Sequence, residues 1–152
     1  MEYIRKVKKN RPDECFLCDI FRASDDRGNL VLRRTALSAI LLNRYPYSSG
    51  HLMVAPLRHI PALGDLEPGE AAEIHALTVQ AIAALSKLYA PDGFNVGWNL
   101  GAVAGGSIAA HLHQHVVPRW SGDTNFMPVL ADVKVLPEHL ESTRAGLIEA
   151  WV

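Results

Sequence analysis

Three histidines recur at every second position in HLHQHVVPRW, residues 111–120: His111, His113 and His115. On a β-strand, alternate residues share a face, so the three imidazoles point one way, about 7 Å apart between neighbours. Leu112, Gln114 and Val116 point the other way. Each ring carries nitrogen atoms that need partners, which makes three on one face poor core filling. Neutral imidazoles side by side suit metal ligation or proton and nucleophile chemistry. The segment NLGAVAGGS, residues 99–107, lies just upstream. Gly101, Gly105 and Gly106 let the backbone approach a ligand closely, Asn99 offers an amide and Ser107 a hydroxyl. Loop N–H groups of this kind hold phosphate oxygens. Phosphate held against imidazole points to phosphoryl or nucleotidyl transfer with a histidine nucleophile.

A second chemical feature is the pair Cys15 and Cys18 in CFLC, the only cysteines of the chain. A lone CxxC suits a metal or redox pair better than a structural disulfide, and further ligands must then come from far along the chain.

These residues need a frame. FLCDIFR (16–22) reads as a short helix behind the CxxC. NLVLRR (29–34), LSAILLN (37–43), HLMVAP (51–56), FNVGWN (94–99) and HLHQHVVP (111–118) read as five strands. Residues 68–89 form the longest helix: Pro68 suits its first turn, and Asp65, Glu67, Glu70 and Glu73 suit its N-terminal dipole. Ile74, Leu77, Ala81, Leu85 and Leu88 recur at helical spacing and should pack on a sheet, with Leu112 and Val116 facing them. APDG (90–93) ends that helix, 100–107 and 121–128 are loops, and a last helix runs from about Glu138 to Trp151. Strands that flank one long helix without regular alternation indicate an α+β domain with a largely antiparallel five-stranded sheet.

Composition excludes several classes. The chain has 152 residues, 49% hydrophobic and 20% charged, with a formal net charge of −1, which suits one globular domain over 1–152 and gives no general attraction to nucleic acid or membranes. The basic run RKVKKNR (5–11) reads as part of a solvated arm, residues 1–14. No apolar stretch follows it as a signal peptide requires, and none reaches the ~20 residues of a membrane span, so a cytoplasmic location is expected.

HLHQHVV resembles the signature of the histidine triad (HIT) family. LLNRYPYSSGHLMVAPLRHIPALGDLEPGE (41–70) is similar to the N-terminal half of the family, as in the fragile-histidine-triad hydrolases. GWNLGAVAGGSIAAHLHQHVVPRWSGDTNFM (97–127) is similar to a bacterial branch of diadenosine tetraphosphate phosphorylases. The resemblance implies a HIT-like fold and nucleotidyl transfer through a covalent nucleotidyl-histidine at His113. His115 and His51 would stand around the reacting phosphate. Asn43 would meet the ribose, Leu41 would line the base pocket, and Asn99, Gly105, Gly106 and Ser107 would hold phosphate. Phosphorolysis of diadenosine tetraphosphate to ADP and ATP and hydrolysis of dinucleoside polyphosphates or phosphoramidates differ only in whether phosphate or water resolves the intermediate. A non-catalytic nucleotide-binding protein is a third class.

Some relatives also hold a structural zinc, and the resemblance maps its ligands onto Cys15, Cys18, His59 and His111. Trp120 suits either a nucleobase stack or core packing. Arg119 and Lys134 suit polyphosphate or plain solvent, His75 and His139 lie on helical stretches, and Trp151 suits a subunit contact, since the family forms homodimers or larger assemblies such as homotetramers. No organic cofactor is expected; the partners are a nucleotide and inorganic phosphate.

Overall fold

The computed structural model describes residues 15–104, 111–123 and 139–151. Gly105, Gly106, Ser107 and Lys134, and most of the loop expected over 121–128, lie outside the described residues. Five strands pair antiparallel throughout in the order β1-β2-β3-β5-β4, with β1 Val31–Arg34, β2 Ser38–Leu42, β3 Leu52–Pro56, β4 Gly93–Trp98 and β5 Gln114–Arg119. Helix α1 (Phe16–Arg22) lies on one face; α2 (Pro68–Tyr89) and α3 (Leu140–Ala150) lie on the other. The expected α+β architecture is therefore the observed one. No described helix is long and apolar enough to cross a membrane.

Alternation explains the two layers. Ile40, Leu42, Leu52, Val54 and Val116 face α2 and bury Ile74, Leu77, Ala81 and Leu85, with Leu147 and Ala150 of α3 closing the cluster. Leu41, Met53 and Ala55 point oppositely and join Val31 with Leu17, Cys18 and Ile20 of α1. Strands β2 and β3 are thus buried on both faces. Leu88, expected in the same stripe, is 37% exposed and sits over Gly146 of α3 at the rim, because the stripe outruns the sheet.

Helix α2 starts at a capping box of Glu67 and Glu70 with Pro68 in its first turn, which satisfies N–H groups that have no partner within the helix. Glu70 also takes a two-pronged ion pair from Arg58, at 3.0 and 2.8 Å, and so anchors the segment carrying His59. Helix α1 is held at its C-terminal end by Arg34, whose guanidinium donates to the carbonyls of Ile20, Phe21 and Ala23 and pairs with Asp26. A cation there complements the helix dipole and fixes the CxxC on the sheet.

Strand β5 begins at Gln114, three residues later than its sequence suggests. Its ladder with β3 ends at Val54↔Gln114. Further pairing would run toward Pro56, which has no N–H to donate. Instead the Leu112 N–H donates to Ile60 at 2.8 Å, and the ring of His111 takes the Pro56 carbonyl. His111 and His113 therefore lead into the strand and only His115 lies on it.

Candidate functional site

Hydrogen bonds define the protonation of each imidazole. The Nδ1 of His113 lies 2.9 Å from the carbonyl of His111, which can only accept. That nitrogen carries the proton, and Nε2 of His113 is left with a bare lone pair. For His51 the logic reverses. Its Nδ1 receives the Tyr47 backbone N–H at 3.1 Å. The Asn43 side chain takes the Tyr45 N–H on its oxygen and so turns its NH2 toward the same His51 nitrogen, 3.4 Å away. The His51 proton is then on Nε2 and is donated to Nδ1 of His115 at 2.9 Å. The neutral His115 ring then carries its proton on Nε2, 3.3 Å from the side-chain nitrogen of Asn99, so the Asn99 amide accepts that proton only with its oxygen turned to the ring. One row of rings thus ends in a bare nitrogen at His113 and an N–H at His115, with 4.9 Å between the two ring centres.

Burial keeps the row neutral. His51 is fully buried, and burial, reinforced by His115 and His113, pulls its pKa down to about 3. Burial and then His113 pull His115 down to about 4, and burial also lowers His113. At neutral pH each is an uncharged imidazole, the form that a nucleophile and a hydrogen-bond donor to phosphate both require.

The first histidine of the motif serves elsewhere. His111 donates its Nε2–H to the Pro56 carbonyl at 2.9 Å, which bares Nδ1, and that nitrogen lies 3.3 Å from Cys15 Sγ and 3.5 Å from Cys18 Sγ. The Nδ1 of His59 lies 3.2 Å from Cys18 Sγ, and the four ligand atoms all fall within 4.8 Å of one another. Tetrahedral zinc bonds of about 2.0–2.3 Å imply ligand separations of about 3.3–3.8 Å, so this Cys2His2 set can hold a metal ion. Both cysteines are free thiols, and burial, followed by Cys15, pushes the Cys18 thiol up to about 11. The Cys18 thiol is therefore protonated without a cation, and because a metal takes the thiolate, metal uptake must release its proton. Phe21 closes the cluster edge-on to His111, with ring centres 5.6 Å apart.

A cavity of about 440 Å³ opens beside His115 and runs to Arg119, with Tyr47, Gly97 and Asn99 among its walls. Among the other residues singled out in the sequence, Leu41 is wholly buried on the α1 side of the sheet, and Trp120 lies edge-on to Tyr89, 6.4 Å between ring centres. Neither lines this cavity. Gln114 turns to the other face, as alternation requires, and meets Thr78 of α2 at 2.6 Å. His75 and His139 are exposed, the latter capping α3. Trp151 donates to Gln80 of α2 at 3.1 Å and lies under Arg33.

Two participants were not picked out from the sequence. Tyr47 is 70% exposed yet stacks on His51, with ring centres 4.7 Å apart and 28° between planes. The signal was an aromatic residue four positions before a histidine in a turn. Thr78 gave none, since its partner lies 36 residues away.

Comparison with known proteins identifies relatives of the chain and of its fold. The family model described as HIT domain matches residues 27–122. The chain is 49% identical over 133 residues to a Mycobacterium tuberculosis protein named AP-4-A phosphorylase, covering 88% of this chain and 68% of that protein. It is 33% identical over 96 residues to a Schizosaccharomyces pombe protein named bis(5'-nucleosyl)-tetraphosphatase [asymmetrical], covering 63% of this chain and 52% of that one. Among solved structures, a zinc-bound histidine triad family protein from Mycobacterium smegmatis superposes with a TM-score of 0.73 at 26% identity, over 92% of this chain and 94% of that one. The match to the HIT domain model spans well over half of the residues and includes all three histidines of the motif, so this chain belongs to the HIT family.

Proposed function

We propose that this protein is a nucleotidyltransferase that cleaves dinucleoside polyphosphates, with phosphorolysis of diadenosine tetraphosphate to ADP and ATP as its reaction. One observation carries the reading: the hydrogen-bond row that bares Nε2 of His113 and loads Nε2 of His115 with a proton. The bare nitrogen attacks the α-phosphorus, and the bond from phosphorus to the bridging oxygen breaks. The new nucleotidyl-imidazolium is cationic, and its Nδ1–H remains on the His111 carbonyl. The His115 N–H donates to the departing oxygen. ATP leaves as an anion, because a terminal phosphate has a pKa near about 6 and needs no full protonation at neutral pH. A phosphate oxygen then attacks the same phosphorus, the P–N bond breaks and ADP departs. Asn99, Gly105, Gly106 and Ser107 are proposed to hold the phosphoryl oxygens and Asn43 the ribose, on the strength of their sequence pattern.

Cys15, Cys18, His59 and His111 are proposed to hold zinc. Four protein ligands leave no open coordination position, so the metal would supply a structural cross-link. It would tie α1 to the residue whose carbonyl holds His113. We further read residues 1–152 as one cytoplasmic domain acting as a homodimer or homotetramer.

The name of the M. tuberculosis relative favours phosphorolysis, and that of the S. pombe relative supports hydrolysis as the second reading. Incubation with diadenosine tetraphosphate, with and without phosphate, separates them. ADP plus ATP formed only with phosphate supports the proposal, and AMP plus ATP in plain buffer establishes hydrolysis. Full turnover by H113N would overturn the nucleophile assignment.

A further inference from the structure

The two histidines of the Cys2His2 set are held in different ways. His111 is oriented by its own ring, whose second nitrogen donates to the Pro56 carbonyl at 2.9 Å. A metal-ligating histidine ordinarily relies on such a second bond. His59 lacks one: its Nδ1 lies 3.2 Å from Cys18 Sγ, and among the described residues none takes its Nε2. Nor does a ladder fix its backbone, since His59 lies between β3 and α2, outside any strand or helix. Its neighbours do the holding. Leu57 donates to the Leu37 carbonyl at 2.8 Å, and the Ile60 carbonyl accepts from Leu112 at 2.8 Å. Between these two bonds, the Arg58 guanidinium reaches Glu70 at 3.0 and 2.8 Å and the Asp65 carbonyl at 2.8 Å. Glu70 is only 4% exposed and also takes the Glu67 N–H, so it is fixed to the start of α2.

We infer that Arg58 and Glu70 are positioning residues for the metal centre: their ion pair presents the His59 ring to Cys15, Cys18 and His111. This rests on the reading of those four residues as a metal site. A planar guanidinium that grips a carboxylate with two prongs holds one geometry, where a flexible ammonium would hold several. Arg58 thereby closes the loop from residue 58 to residue 70 onto a buried carboxylate. A loop closed in advance has lost its freedom before the metal arrives, so less ordering entropy opposes ligation. Without the pair, His59 is ordered only as the metal binds, and the affinity falls by the cost of that ordering. The same segment holds the chain just before β5 through Ile60 and Leu112, so the clamp also bears on the stretch that joins His111 to His113.

The test is the zinc affinity of the full-length protein, stripped of metal and titrated with zinc in competition with a chromophoric chelator. Glu70→Gln removes the charge and keeps the shape, and should weaken zinc by about tenfold. Arg58→Lys leaves the capping box of α2 complete but cannot make the two-pronged contact, and should weaken zinc in the same direction. Both effects should pass through His59. In a His59→Ala background, where Cys15, Cys18 and His111 remain to bind zinc more weakly, either substitution should change the affinity by about twofold or less. An unchanged affinity in either variant that folds, or an equal loss with and without His59, overturns the inference. A lower Tm with intact affinity does the same, because it marks Glu70 as a helix cap alone. Failure of the metal reading looks different, since the wild type then takes up no zinc. The clamp is still read in the metal-free proteins by NMR: nuclear Overhauser contacts between the His59 and His111 ring protons should be present in the wild type and weakened in Glu70→Gln, and equal contacts overturn it.

Discussion

Acid should destabilise this fold through the His51–His115 pair, by an amount that follows from its burial. His51 is fully buried and holds a folded-state pKa of about 3, while an unfolded histidine titrates near 6.5. The folded state resists protonation and the unfolded state does not. The contribution is complete above the unfolded pKa and is lost as pH falls from there toward the folded values of about 3 for His51 and about 4 for His115. Between about pH 7 and pH 5, linkage gives a loss of about 2 kcal/mol for His51 alone. His115 is partly exposed and shares a hydrogen bond with His51, so the joint loss is about 2–3 kcal/mol. The assay is urea unfolding at those two pH values for the wild type and His51→Gln, with a chelator throughout so that metal uptake does not enter the difference. Glutamine keeps an N–H for His115 and does not titrate. The wild type should lose about 2 kcal/mol more than the variant on acidification, at unchanged m-value. Equal losses in the two proteins, or a wild type that gains stability in acid, would refute the neutral buried pair.

Gly50 precedes His51 with φ +79°, and a Cβ there would come within 2.7 Å of Leu85 Cδ2. Gly50→Ala should therefore cost about 2–3 kcal/mol, seen as a lower Tm. Thr78→Val strips the half-buried side-chain oxygen of Gln114 of a donor and should cost about 1–2 kcal/mol, whereas Thr78→Val with Gln114→Leu should recover much of that loss in a double-mutant cycle by chemical denaturation. Elemental analysis should find one zinc per chain in the wild type and little in Cys15→Ser with Cys18→Ser. Because the Cys18 thiol sits at about 11 without metal, zinc affinity by competition should rise about tenfold per pH unit for each proton released.

The strands and α2 were legible because period-2 and period-3.6 patterns are local properties of the chain. The Cys2His2 set was legible as ligand types, but its assembly depends on β3, whose Pro56 carbonyl turns the His111 ring so that its bare nitrogen meets the thiols. The protonation of His115 was not legible. It is decided by the Tyr47 backbone N–H and the Asn43 amide, and these reach His115 only through His51, 64 residues before it. No spacing rule reports which carbonyl or N–H a ring will meet.

Alternation holds along the whole of β5. Residue parity assigned the histidines to one face and Gln114 to the other, and the contact of Gln114 with Thr78 agrees. Carried along β5, the same parity sends Val117 and Arg119 to the imidazole side and Trp120 to the α2 side, where Tyr89 meets it. The aromatic residue that could stack on a ligand next to the imidazoles is then Tyr47 on the turn before β3, because a turn is free of strand parity. Two residues without side chains, Gly97 and Gly93, sit opposite His115 and Arg119 on the edge strand. A side chain there would stand above the face that His115 occupies. The face that His115 occupies and the open positions beside it are therefore two consequences of one register between β4 and β5, and a one-residue slip would destroy both together.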